Sequence, residues 1–293
     1  MAGRSIRRTI GILALGTLVA VVEWAVIVLR PAKPALALQV VEGVDRSYRG
    51  RFAGELAFQT VLAQMPEQRR RALAFVERRT GLRLVATDRE RILIRFTEDA
   101  GPEQTLAVTE TRSVNGRRCQ VVTFYLPPLL REQLPVEPTL RHELAHAVMR
   151  QRMGFRYGYV PVWLREGIAV WTAEQIEDKA ALLIPARLAA GQDPLMLLNG
   201  LDTLPHTLDD LLEDALLFQY LEQRCGAPCV QRVIQDVVHG RSPRRLIEHA
   251  TGLSWREVNA QVRAFSLDYI RARSTMGAQH SQVSDTFPAL KGV

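Results

Sequence analysis

The stretch LRHELAHAVMR, residues 140–150, constrains this chain more than any other. Pro138 suits the first turn of a helix and Gly154 its end, so a helix is predicted between them. On that helix His142 and His146 stand about 40° apart around the axis and about 6 Å along it. Small or apolar neighbours (Leu144, Ala145, Ala147, Val148) predict that part of this surface is buried. Buried imidazoles need partners, because an unpaired polar group costs roughly 2–7 kcal/mol in an apolar setting. One ion bound by both rings is such a partner, and a plain solvated face is the competing explanation.

A second segment, PVWLREGIAVW (161–171), carries Glu166 twenty residues after His146. Pro161 opens a second helix, predicted to run to about residue 179. The short connection MGFRYGYV allows that helix to return antiparallel and present Glu166 to the same ion. Two imidazoles and a carboxylate leave a fourth position open, which is the pattern of a catalytic rather than a structural zinc. Glu143 faces another direction from its neighbour His142, so it is expected to act as a base toward a water and not as a ligand. Arg165 and Trp163 are expected to fix the second helix.

The remaining pattern predicts an α+β chain: helix, small sheet, then helices. Helical spacing covers about 52–80 and ends at Gly81, while RILIRF (91–96) has strand alternation. Two strands flank Asn115-Gly116, a strong hairpin signal, and Pro127 and Pro128 stop the second. Further helices are expected near 208–223, 229–238, 242–250 and 255–272. Domain limits follow as 1–8 cytoplasmic, 9–29 membrane anchor, 30–45 linker, 46–272 one folded domain and 273–293 a loose tail.

The charge of +7 does not point to nucleic acid. Residues 1–38 hold Arg4, Arg7, Arg8, Arg30 and Lys33 against Glu23, which leaves +3 for the other 255 residues. Arg69-Arg70-Arg71 and Arg244-Arg245 read as solvated faces, with an anionic-lipid or nucleic-acid patch as the alternative. TIGILALGTLVAVVEWAVIVL (9–29) would span about 30 Å as a helix, enough for a bilayer core. The preceding arginines favour a cytoplasmic N-terminus and an exported domain; a signal peptide cleaved after Ala37 is the alternative. Either way the compartment permits disulfides, and Cys225 and Cys229 in RCGAPCV are candidates for one. Cys119 is expected to pack in a strand.

TLRHELAH followed by PVWLREGIAVW resembles the gluzincin branch of the HExxH metallopeptidases, nearest to membrane-associated or secreted peptidase MA-like domains. The likeness runs more weakly through about residues 50–270, including the helical stretch from Ala215 to Val258. It implies a zincin-like fold in which a small sheet with an edge strand packs on a mainly helical domain. It implies Zn2+ held by His142, His146 and Glu166, Glu143 as catalytic base, and peptide or protein substrates. It also implies that VVTFYL (121–126) is the sheet edge that pairs with substrate. Two features depart from the pattern. Val170 stands where thermolysin-like members have an Asp supporting a histidine, which leaves Glu174 as a candidate substitute. The oxyanion donor is unassigned: Tyr157, Tyr159, Tyr220 and His206 are candidates, with Tyr220 expected in the core and His206 on a surface loop. A membrane-tethered zinc-containing binding or assembly module without activity is the reading to be weighed against an enzyme.

Overall fold

The computed structural model describes residues 38–99, 101, 105–131, 136–190 and 210–284. The expected anchor at 9–29, and His206, lie outside them. Among the described residues no helix is long and apolar enough to cross a membrane.

The chain is α+β, with a small mixed sheet and predominantly helical remainder. The sheet is built from β1 (Val40–Val41), β2 (Val44–Asp45), β3 (Ile92–Thr97), β4 (Ala107–Val114) and β5 (Arg117–Tyr125), in the order β1-β2-β3-β5-β4. β4 and β5 form the expected hairpin. Asn115 and Gly116 both have positive φ, 49° and 75°, as a two-residue turn matched to the strand twist requires. β3 runs parallel to β5, pairing Ile94 with Val122 and Phe96 with Phe124. Alternation then sorts the side chains. Ile92, Ile94, Phe96, Val122 and Phe124 face the main core, while Leu93, Val114, Cys119 and Val121 form a small cluster with Leu38 on the other face. Cys119 is thus a packed strand residue, as expected.

Two expectations change here. Residues 40–45, expected as linker, belong to the sheet: Val44 pairs with Ile94, and the amide of Ile94 donates to the carbonyl of Gly43 at 2.8 Å. VVTFYL is not an edge, because β5 is covered by β3 on one side and β4 on the other. The edge beside the helices is β4.

The helices are α1 (Leu56–Thr80), α2 (Ala86–Glu90), α3 (Leu126–Arg131), α4 (Val136–Met153), α5 (Val162–Thr172), α6 (Ile176–Ala189), α7 (Asp210–Cys225), α8 (Ala227–Val238), α9 (Pro243–Thr251) and α10 (Trp255–Ser284). A 3-10 turn, Gly154–Tyr159, joins α4 to α5. α10 passes the expected end at 272. Cys225 and Cys229 are joined across the α7–α8 corner by a disulfide, with Cα atoms 5.7 Å apart.

The single helix expected over 162–179 is two. Glu174 takes a left-handed conformation at φ 59°. The amide of Gln175 reaches back to the carbonyl of Val170 at 3.1 Å, and that of Glu174 to Trp171 at 3.2 Å. This paired closure satisfies the last carbonyls of α5 and restarts the chain as α6 in a new direction. Glycine usually fills the left-handed position, so a glutamate there gave no sequence signal.

α5 is pressed closely onto α7. A methyl group at Gly167 would lie 2.5 Å from the carbonyl oxygen of Asp214, so only glycine permits the approach. Arg79 of α1 makes a forked pair with Glu222 of α7 at 2.6 and 2.7 Å, and Glu222 also accepts from the indole N–H of Trp171 at 2.9 Å. These contacts fix α5, and Glu166 with it, against the core.

Candidate metal centre

α4 and α5 bring His142, His146 and Glu166 together. The Nε2 atoms of the two histidines are 3.1 Å apart, and Glu166 Oε2 lies 3.6 Å from the first and 3.4 Å from the second. A tetrahedral ion with bonds of about 2.05 Å requires ligand atoms about 3.3 Å apart, and a point equidistant from these three atoms lies about 2.0 Å from each. The triangle therefore fits a zinc-sized ion without rearrangement.

Hydrogen bonds on the far side of each ring explain the ring orientations. His142 Nδ1 lies 3.1 Å from Gln175 Oε1, and His146 Nδ1 lies 2.8 Å from the hydroxyl of Tyr157. An N–H donated from each Nδ1 leaves each Nε2 lone pair aimed at the shared point. Burial pushes the Tyr157 phenol up, against the pull of Arg150 and Arg165, so it stays neutral and able to accept. The guanidinium of Arg165 sits 5.0 Å from the Tyr157 ring centre, and Trp163 packs on Trp255 at 5.9 Å. Both side chains fix the second helix, as expected. Burial alone would raise the Glu166 carboxyl, but the two histidines, when they carry protons, outweigh it and hold the group well below the usual carboxylate range. An anionic Glu166 among converging nitrogen lone pairs is a donor set suited to a divalent cation.

Glu143 points elsewhere, as its position in the helix dictates. Its Oε2 accepts from Thr109 Oγ1 at 2.7 Å, and the same hydroxyl lies 2.9 Å from the Glu143 carbonyl. Thr109 belongs to the edge strand β4 and is buried with Glu143. Burial pushes the Glu143 carboxyl up, against the lowering pull of His142 and of Thr109.

Several expectations are redirected by these contacts. Glu174 does not support a histidine: its carboxylate pairs with Arg141 at 3.2 Å. Gln175 takes that role because the left-handed turn at Glu174 swings it toward α4. Tyr157 serves His146, Tyr159 is 65% exposed, and the hydroxyl of Tyr220 donates to Gln261 away from the site. Sequence reasoning missed Gln175 and Thr109. It also missed Lys179, one turn beyond Gln175 on α6, whose ammonium is pushed down in pKa by burial and sits in the field of Glu166.

The fold and site together define an α+β protein with a His-His-Glu cluster beside a buried glutamate and a sheet edge. No family model, no curated protein and no solved structure matches the chain.

Proposed function

We propose that this chain is a zinc-dependent peptidase of the gluzincin type with a zincin-like fold. The observation that carries the proposal is the near-equilateral triangle of His142 Nε2, His146 Nε2 and Glu166 Oε2, each histidine already oriented from behind. These three residues would hold the ion. Zinc bound there supplies Lewis acidity, polarising a scissile carbonyl and bringing the pKa of water down to about 7.

The chain's own groups supply the rest. Glu143 takes a proton on its carboxylate as water attacks and returns it to the leaving amine. Thr109 anchors one carboxylate oxygen, which leaves the other to move the proton. Among the described residues β4 ends the sheet, next to Glu143, and an extended peptide could add to it as a further strand. Gln175 and Tyr157 hold the rings as an acid at position 170 would, which answers one of the two arguments for a zinc-containing assembly module without activity; the other, an oxyanion donor with no residue assigned to it, stands. A glutamate kept beside the ligands but not bound to an ion also has no use in such a module. The domain would act outside the cytoplasm, tethered by residues 9–29 or released by cleavage, where the Cys225–Cys229 bridge is stable.

Incubation of the protein with a peptide library, with and without a chelator, tests the reading. Cleavage that stops with chelator and returns with zinc supports it. Zinc binding without turnover in any peptide pool would favour the inactive module. Glu143→Gln should abolish cleavage and keep zinc; wild-type turnover in that variant would refute the mechanism.

A further inference from the structure

The turn that carries Tyr157 presents an unusual outer surface. Phe155 is 75% exposed and Tyr159 65%, and Val162 follows at 38%. The loop between α8 and α9 lies against it: Arg156 Nη1 donates to the carbonyl of His239 at 3.3 Å, and a methyl at Gly240 would meet the same guanidinium at 2.9 Å. A second bridge runs from Val162's neighbour Trp163 to Trp255, whose ring lies 5.5 Å from the guanidinium of Arg244. Residues 150–162 and 239–247 together contain no carboxylate and hold the exposed Arg152, Arg156, Arg241, Arg244 and Arg245, while Arg150 packs inward on the Tyr157 ring at 4.6 Å. Of the nearby acids, Asp236 pairs with Arg241, while Glu248 and Glu257 accept from the Trp255 amide and from Ser254 and keep their charge, which leaves five exposed arginines against three carboxylates.

We infer that this aromatic and basic surface docks on an anionic lipid bilayer, with Phe155, Tyr159 and Val162 entering the headgroup region and the arginines pairing with lipid phosphates. Aromatic side chains favour the interface between water and hydrocarbon, and each arginine near an anionic surface contributes about 1 kcal/mol. A membrane is favoured over nucleic acid because the exposed tips are apolar and because residues 9–29, read as an anchor, would hold the domain beside a bilayer. The inference rests on that anchor reading for its high local concentration, and not on catalysis. Docking would bring the site to the membrane surface, since the same turn supplies the tyrosine behind His146. Substrate segments close to the bilayer are then the ones within reach.

The test uses the full chain carrying Phe155→Cys labelled with an environment-sensitive dye; Cys119 is buried and the other cysteines are bridged. Leu182→Cys, on an exposed site of α6, serves as control. Vesicles of phosphatidylcholine alone are compared with vesicles containing phosphatidylglycerol. The 155 label should shift to the blue and be quenched by nitroxide lipid in the anionic vesicles, while the 182 label should not. Arg152→Gln and Arg245→Gln, each removing one positive charge, should each lower the inserted population about fivefold, 1 kcal/mol per charge. A 155 label that stays in water in both vesicle types, or responds only to added RNA, overturns the inference. Carbonate-resistant retention of the chain in vesicles reports the anchor separately, so failure of the two readings is distinguishable.

Discussion

The hydroxyl of Thr109 on the edge strand lies 2.7 Å from Oε2 of Glu143 on the helix that carries both histidines. Sheet and helix thereby share one buried hydrogen bond at the group proposed to move the proton. Hydrogen bonds to charged groups are worth about 1.5–3 kcal/mol. Thr109→Val should therefore reduce kcat by about ten- to a hundredfold with little change in KM or zinc content. Thr109→Ser should recover most of the loss. Steady-state kinetics on the three proteins decides, and equal turnover in all of them would remove Thr109 from the account.

Gln175 predicts a second effect, on affinity. Partners behind a ligating histidine typically contribute ten- to a hundredfold to metal binding. Gln175→Ala should weaken zinc by about that factor without altering the fold, whereas Gln175→Glu should retain tight binding. Competition against a chromophoric chelator measures both. An alanine variant with undiminished affinity would show that His142 needs no orientation.

Gly167 predicts a packing effect that reaches the ligand set. A methyl at this position meets the backbone of Asp214 at 2.5 and 2.9 Å, and backbone cannot swing aside. Gly167→Ala should destabilise the protein by about 1–3 kcal/mol and move Glu166, the adjacent residue, away from the histidines. Thermal melts of the metal-free protein report the first effect, and zinc titration the second.

Glu177 ties α6 to the last helix and gives a pH prediction. Hydrogen bonding from Arg273, with Nε 2.8 Å from Oε2, holds the Glu177 carboxyl below its ordinary value despite some burial. A depressed folded-state pKa contributes stability above the unfolded value of about 4.3 and loses it as pH falls through the folded one. Glu177→Gln should thus lower stability near neutrality and flatten the acid side of the stability curve. Denaturant midpoints measured from neutral to strongly acid pH check this; parallel curves would contradict it.

What the sequence made legible was local. The four-residue histidine spacing, the loop short enough for an antiparallel return and the Asn115-Gly116 turn each act within a few residues, and the chain adopts all three. The supports of the site were not legible, because they depend on pairing between distant segments. Nothing in VVTFYL says that β3 covers one side of it and β4 the other. Thr109 reaches Glu143 across 34 residues. Gln175 reaches His142 only through the left-handed Glu174, a residue that carries none of the glycine signature of a helix end. Gly167 stood in the motif, but the backbone it accommodates comes from α7.

X-ray absorption on the zinc-loaded protein tests the central claim most directly. One zinc per chain, with two imidazole nitrogens and oxygen ligands at about 2.0–2.1 Å and no sulfur, is the predicted shell, and it should lose one imidazole in His146→Ala. Sulfur in the shell, or the same two imidazoles after that substitution, would contradict it.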